Sequence, residues 1–176
     1  MTIAGLLQSG GIVVDIWKKC STRFKIYDLR FKNILILGLG CGTAAKIFSK
    51  NFPDANIIGV EIDQVVLNLG KKYFELDKIS NLEIICQDAA KYKSKLRFDL
   101  IIIDLYLGEK IPDKLQNNNF LKNIQNLLSE DGIAVFNRIF WDEHKIQAHN
   151  FVDNSAKVFK KTELIRTVAN LLVICS

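Results

Sequence analysis

The sequence predicts an α/β protein: a three-layer open sandwich whose seven-stranded, mostly parallel sheet ends in a C-terminal antiparallel hairpin. Three observations lead there. Short, wholly apolar runs alternate with segments of helical pattern, and an all-apolar strand must be covered on both faces, as in a parallel sheet. The first such run ends in a glycine cluster and leads straight into a helical segment. The last two runs are separated only by Val168, Ala169 and Asn170, too short for a crossover helix, so they pair antiparallel.

The elements follow in order. Residues 1–32 form a basic and apolar N-terminal arm ahead of the sheet-bearing domain, residues 33–176. In the arm, Gly10 and Gly11 suit a turn, and Ile12, Val13, Val14, Ile16 and Trp17 make an apolar stretch that must pack on something. Residues 34–37 are the first strand, and residues 43–51 a helix that stops before Pro53. Residues 57–60 are the second strand, followed by a helix over 64–75 that Asp63 can N-cap. Residues 82–86 and 100–103 are the third and fourth strands. Phe120, Leu121, Ile124, Leu127 and Leu128 mark one helix face, with Gly132 breaking the chain after it. Residues 133–140 are the fifth strand, residues 141–159 a helix with Asp142 as its cap, and residues 162–167 and 171–175 the hairpin.

Composition narrows the class. A chain of 176 residues suits one domain and is 49% apolar, which excludes a disordered polymer. No apolar run approaches the ~18 residues of a membrane span, and the first eleven residues carry no cation before their apolar stretch, so neither a span nor a secretory signal is expected. Cys20, Cys41, Cys86 and Cys175 form no CxxC pair, so buried or half-buried thiols in a cytoplasmic protein are expected. Cys41 reads as a small side chain in a tight turn. His144 and His149 are five apart, a poor metal spacing, and read as surface or capping residues. The net charge of +5 is concentrated in residues 1–32, where six Lys and Arg face two Asp. That arm reads as a solvated surface. No nucleic-acid module accompanies it, and its apolar stretch allows a homodimer contact.

The chemistry gathers at strand ends, where open parallel sheets bind ligands. Gly38-Leu39-Gly40-Cys41-Gly42 follows the first strand; its glycines permit a tight turn and close approach of a ligand, and the next helix start favours negative charge. Glu61 closes the second strand nineteen residues past Gly42, where a carboxylate can accept both hydroxyls of a ribose. Asp88 follows the third strand, and Asp104 the fourth. Asn137 and Arg138 end the fifth on the same side and are candidates for acceptor contact, whereas Trp141, just past it, either flanks the acceptor pocket or only packs. A dinucleotide fingerprint would place its third glycine at position 43, which is Thr43.

The G-x-G-x-G spacing, with the terminal hairpin, resembles the class I S-adenosylmethionine-dependent methyltransferases over about residues 33–176. Within them, Val60-Glu61-Ile62-Asp63, Gly70-Lys71-Lys72-Tyr73-Phe74, Gln87-Asp88-Ala89 and the run from Phe98 to Asp104 resemble the spermidine synthase branch. The resemblance implies a Rossmann-like methyltransferase fold that takes S-adenosylmethionine or its decarboxylated form. It implies that Glu61, with Ile62 beside it, binds the ribose, that Asp88 and Ala89 bind the adenine, and that Gly38, Gly40 and Gly42 underlie the methionine-derived part. Asp104 would handle an attacking amine. Tyr106 stands two residues on, where it can orient an acceptor, and residues 105–112 form a candidate lid. Two features of the branch are missing. Its Asp-Ser/Thr-Ser/Thr-Asp-Pro pattern reads Asp104-Leu105-Tyr106-Leu107-Gly108 here, so Leu107 replaces the second acid, and the residues before 32 are too few for the β-domain that covers the polyamine. The expected function is methyl transfer to a small-molecule acceptor such as an amine. Aminopropyl transfer, and nucleoside binding by a non-catalytic scaffold, are the alternatives.

Overall fold

The computed structural model describes residues 2–3, 6–7, 11–27, 29–108 and 110–176; Gly10, and with it half of the expected Gly10–Gly11 turn, lies outside them. Two short strands, β1 (Thr2–Ile3) and β2 (Leu6–Leu7), pair antiparallel. Helix α1 (Ile12–Ile26) follows. The main sheet comprises β3 (Asn33–Leu37), β4 (Asn56–Glu61), β5 (Leu82–Cys86), β6 (Phe98–Ile103), β7 (Leu128–Ile139), β8 (Thr162–Arg166) and β9 (Asn170–Cys175). Its spatial order is β5-β4-β3-β6-β7-β9-β8. Neighbours from β5 to β7 run parallel; β9 is antiparallel to both β7 and β8. The expected seven-stranded sandwich and its terminal hairpin are both present.

The pleat divides the apolar strands between two cores. Ile34 and Ile36 of β3 and Leu100 and Ile102 of β6 face one core, shared with α1, α2 (Thr43–Asn51) and α3 (Gln64–Phe74). Leu35, Leu37, Ile101 and Ile103 face the other, shared with α4 (Asn118–Leu127) and α5 (His144–Ser155). Each of these strand residues is at most 4% exposed, which accounts for their lack of polar alternation.

The apolar stretch in the arm is spent on this chain's own body. Ile16, Trp17, Cys20 and Phe24 recur at helical spacing and are buried against the sheet. Several expectations need correction. Gly132 does not end an element: α4 stops at Leu127, and β7 runs through the glycine. A Cβ at Gly132 would lie 2.7 Å from the Phe98 carbonyl oxygen, so the glycine permits close backbone approach where the β6–β7 register shifts. Helix α5 starts only at His144. Asp142 is not its cap, since it sits at φ 44° and Glu143 is the N-cap, with no side-chain bond. His144 is buried, at 8% exposure, with its ring edge-on to Trp141, whereas His149 is exposed as expected. The cysteines form no disulfide; Cys86 is exposed and the other three are buried.

Candidate functional site

Strand β3 continues to β4 and β5 on one side and neighbours β6 on the other, and a cleft opens at that switch point beyond the carboxyl ends. It has a volume of about 340 Å³. Gly38, Gly40, Glu61, Ile62, Asp88, Ala89, Asp104 and Tyr106 all line it. Four sequence-distant segments therefore converge there.

The glycine loop is held by backbone bonds. The N–H groups of Gly38 and Leu39 donate to the Val60 carbonyl at 2.9 and 3.0 Å. Gly38 adopts φ +87°, and a Cβ there would lie 2.1 Å from the Asp104 carbonyl oxygen. Only glycine permits that approach. Gly40, at φ +55°, has no atom within 4 Å of where a Cβ would stand, so its missing side chain leaves open cleft. Gly42 is different. It does not line the cleft but backs onto Leu76, whose Cδ1 would lie 2.3 Å from an added Cβ. Its function in the structure is the left-handed turn that starts α2.

Glu61 is half-buried and collects three backbone donors. Oε2 accepts from Gly40 N at 2.8 Å; Oε1 accepts from Ile62 N at 2.9 Å and Asp63 N at 3.1 Å. Asp63 caps α3 through the Val65 N–H at 2.8 Å, as expected. Asp88 accepts the Ala90 N–H at 2.9 Å and pairs with Lys114 at 2.8 Å. The Lys114 ammonium, ahead of the Ala90 bond, holds the Asp88 carboxyl below its ordinary range.

At the other end, Asp104 Oδ1 accepts from Asn137 Nδ2 at 2.9 Å, and Oδ2 accepts from Trp17 Nε1 at 3.2 Å. Asn137 is itself oriented by Asn170, whose Nδ2 donates to Asn137 Oδ1 at 2.9 Å. Burial pushes the Asp104 carboxyl up to about 6, against the opposing pull of these two donors. The Tyr106 hydroxyl donates to the Asn137 carbonyl at 2.7 Å, and burial raises its pKa. Its ring lines the cleft while its hydroxyl serves the scaffold.

Asn137 and Arg138 do not line the cleft. Asn137 reaches it only through Asp104. Arg138 lies over the Phe151 ring at 4.3 Å and donates to Gln116 Oε1 at 2.7 Å. Trp141 stays outside the cleft. The sequence reading missed Trp17, Val13 and Lys114, which do line it. Trp17 carries the signal of an ordinary core aromatic, and nothing local marks its pairing with a carboxylate 87 positions away.

Residues 30–171 match the family model described as a methyltransferase domain. A polyamine aminopropyltransferase of Vibrio vulnificus is 31% identical over 117 residues, which are 64% of this chain and 39% of that protein. The chain thus spans well under half of that relative's length. A probable spermidine synthase from Corynebacterium glutamicum superposes with TM-score 0.81 at 21% identity, covering 96% of this chain and 65% of that one. Human methyltransferase-like protein 13, solved with S-adenosylhomocysteine, superposes with TM-score 0.73 at 16% identity, covering 94% of this chain and 79% of that one. The chain belongs to the methyltransferase domain family, within the class I S-adenosylmethionine-dependent methyltransferase superfamily, and is similar in sequence to a polyamine aminopropyltransferase and in fold to a probable spermidine synthase.

Proposed function

We propose that this protein transfers a methyl group from S-adenosylmethionine to a small-molecule amine. The observation that carries the reading is the joining of the glycine loop to Glu61 within a cleft that also holds Asp88 and Asp104. The residues fit the donor. Open space at Gly40 accommodates the methionine-derived part, Glu61 keeps lone pairs for ribose hydroxyls beside its backbone donors, and Asp88 with Ala89 suits an amino-bearing base. The exposed Ile62 side chain offers the base an apolar contact.

When bound, the donor supplies a sulfonium leaving group. The protein then mainly aligns the partners, an effect worth up to about 7–11 kcal/mol. The amine lone pair forms the new C–N bond as the S–CH3 bond breaks, and the bonding pair stays on sulfur. Asp104, ionised above about pH 6, accepts the proton that the product ammonium releases.

Aminopropyl transfer from decarboxylated S-adenosylmethionine is the second reading, favoured by the sequence similarity to the Vibrio vulnificus protein. Against it stands Leu107, 76% exposed where the branch carries its second acid. Calorimetric titration with S-adenosylmethionine, its decarboxylated form and NAD, side by side, tests both. Tighter binding of the intact donor supports methyl transfer, and preference for the decarboxylated form reverses the order. Binding of NAD alone, or of nothing, refutes both.

A further inference from the structure

The turn of the terminal hairpin reaches the carboxyl end of β7. Asn170, the first residue of β9, stands opposite Ile139 in the ladder. Its backbone is locked: the N–H donates to Thr167 Oγ1 at 3.0 Å, and the carbonyl accepts from Thr167 N and Oγ1, both at 2.9 Å. Asn170 and Asn137 are both buried, so their amides depend on partners within the protein.

A carbonyl sets the direction of these amides. The Asn137 backbone carbonyl can only accept, so the Tyr106 hydroxyl donates to it at 2.7 Å. The Tyr106 oxygen is left to accept. Burial, and behind it the Asp104 charge, raise its pKa; Arg138, the Ile139 N–H and the Asn170 amide pull it down. Asn170 therefore turns its N–H groups this way, and Nδ2 donates to Asn137 Oδ1 at 2.9 Å. With its oxygen taken, Asn137 presents Nδ2 to Asp104 Oδ1 at 2.9 Å. Turned over, Asn137 would set its own Nδ2 against that of Asn170, two donors with no acceptor between them.

The Trp17 indole, a donor only, holds Oδ2. Both oxygens of Asp104 thus take an N–H, which favours the ionised carboxylate. Burial and the Glu61 charge on β4 oppose ionisation; Tyr106, in the loop after β6, is the other titratable group beside it.

We propose that Asn170 is a positioning residue: by fixing the direction of the Asn137 amide it holds Asp104 in the form that accepts a proton. The proposal deepens the transferase reading above and rests on it, since the group that takes the proton of the product ammonium must be anionic. Asn170 does not line the cleft and acts through Asn137.

The test follows the Asp104 carboxyl carbon by NMR in protein labelled with 13C at aspartate Cγ. Its resonance is the one missing from Asp104→Asn. The wild-type midpoint is expected near pH 6. In Asn170→Ala the Asn137 amide is free to turn over and accept from a protonated Asp104, so the midpoint rises by about one pH unit. Asn170→Leu fills the space and replaces the alanine variant if that does not fold. Asn137→Ala, which removes the donor itself, also raises the midpoint. The double variant Asn137→Ala/Asn170→Ala then titrates within about 0.3 pH unit of Asn137→Ala alone. An unchanged or lowered midpoint in the Asn170 variants overturns the proposal, as does a double variant in which the two shifts add. Calorimetry of the wild type with S-adenosylhomocysteine reads the transferase assignment separately. Absence of binding overturns that assignment, and with it the proton-accepting role of Asp104, whatever the titration shows.

Discussion

Glu61 Oε2 accepts the backbone N–H of Gly40 at 2.8 Å, tying the acid at the end of β4 to the turn at the end of β3. One side chain therefore shapes the glycine loop and faces the position proposed for the ribose. Hydrogen bonds to a charged group contribute about 1.5–3 kcal/mol each. Glu61→Ala is expected to weaken S-adenosylhomocysteine binding by about 100-fold or more, with the circular dichroism spectrum retained. Unchanged affinity by calorimetry would reduce Glu61 to a loop clamp.

Asp104 predicts two pH effects of opposite sense. Its carboxyl, pushed up to about 6, must be ionised to take a proton, so kcat is expected to rise through about pH 6 and level off above it. Asp104→Asn should bind donor almost normally and turn over about 100-fold or more slowly. For stability, a carboxyl raised above its ordinary 3.8 means that the folded state holds the proton more tightly than the unfolded one. Stability from this group is present below about pH 4 and is lost as pH rises to about 6. Denaturant unfolding at pH 4 and pH 7 should show the wild type losing up to about 3 kcal/mol relative to Asp104→Asn. Parallel pH curves would show that Asp104 titrates normally.

Lys114 occupies Oδ2 of Asp88, the oxygen a nucleobase amino group would share. The pair is partly exposed on the lysine side, and such pairs contribute about 0–1 kcal/mol. Lys114→Met is expected to tighten S-adenosylhomocysteine binding by up to about fivefold, and moderate salt should do the same for the wild type. Weaker binding in the variant would make Lys114 a ligand contact instead of a competitor.

Gly38 and Gly40 should separate stability from binding. Gly38→Ala drives a Cβ to 2.1 Å from the Asp104 carbonyl oxygen at a left-handed φ, with an expected loss of about 3 kcal/mol or more in unfolding free energy. Gly40→Ala meets no atom, so its cost is the φ alone, about 1 kcal/mol. Its Cβ occupies the cleft, and donor affinity should fall by about tenfold or more. Thermal melts with parallel calorimetry distinguish the two; similar melts in both variants would refute the assignment.

The seven strands, the terminal hairpin, and the placing of Glu61, Asp88 and Asp104 at strand ends were all legible in the linear pattern. Each depends on local periodicity, or on the rule that parallel strands present their carboxyl ends together. Gly42 looked identical to its two neighbours in the motif, yet its φ of +90° turns the chain against Leu76 instead of the cleft. His144 looked like a surface residue, because local sequence carries no record of its burial beside Trp141.

The sequence by itself determined the α/β architecture and which acids close which strands, because those follow from side-chain periodicity and glycine spacing within a few residues. Only the tertiary structure decided that Trp17 bonds Asp104, that Asn170 orients Asn137 toward Asp104, and that Lys114 pairs with Asp88. These contacts join residues from 26 to 87 positions apart. Hydrogen-bond partners at such separations are chosen by how helices and loops pack on the sheet, which no local pattern encodes.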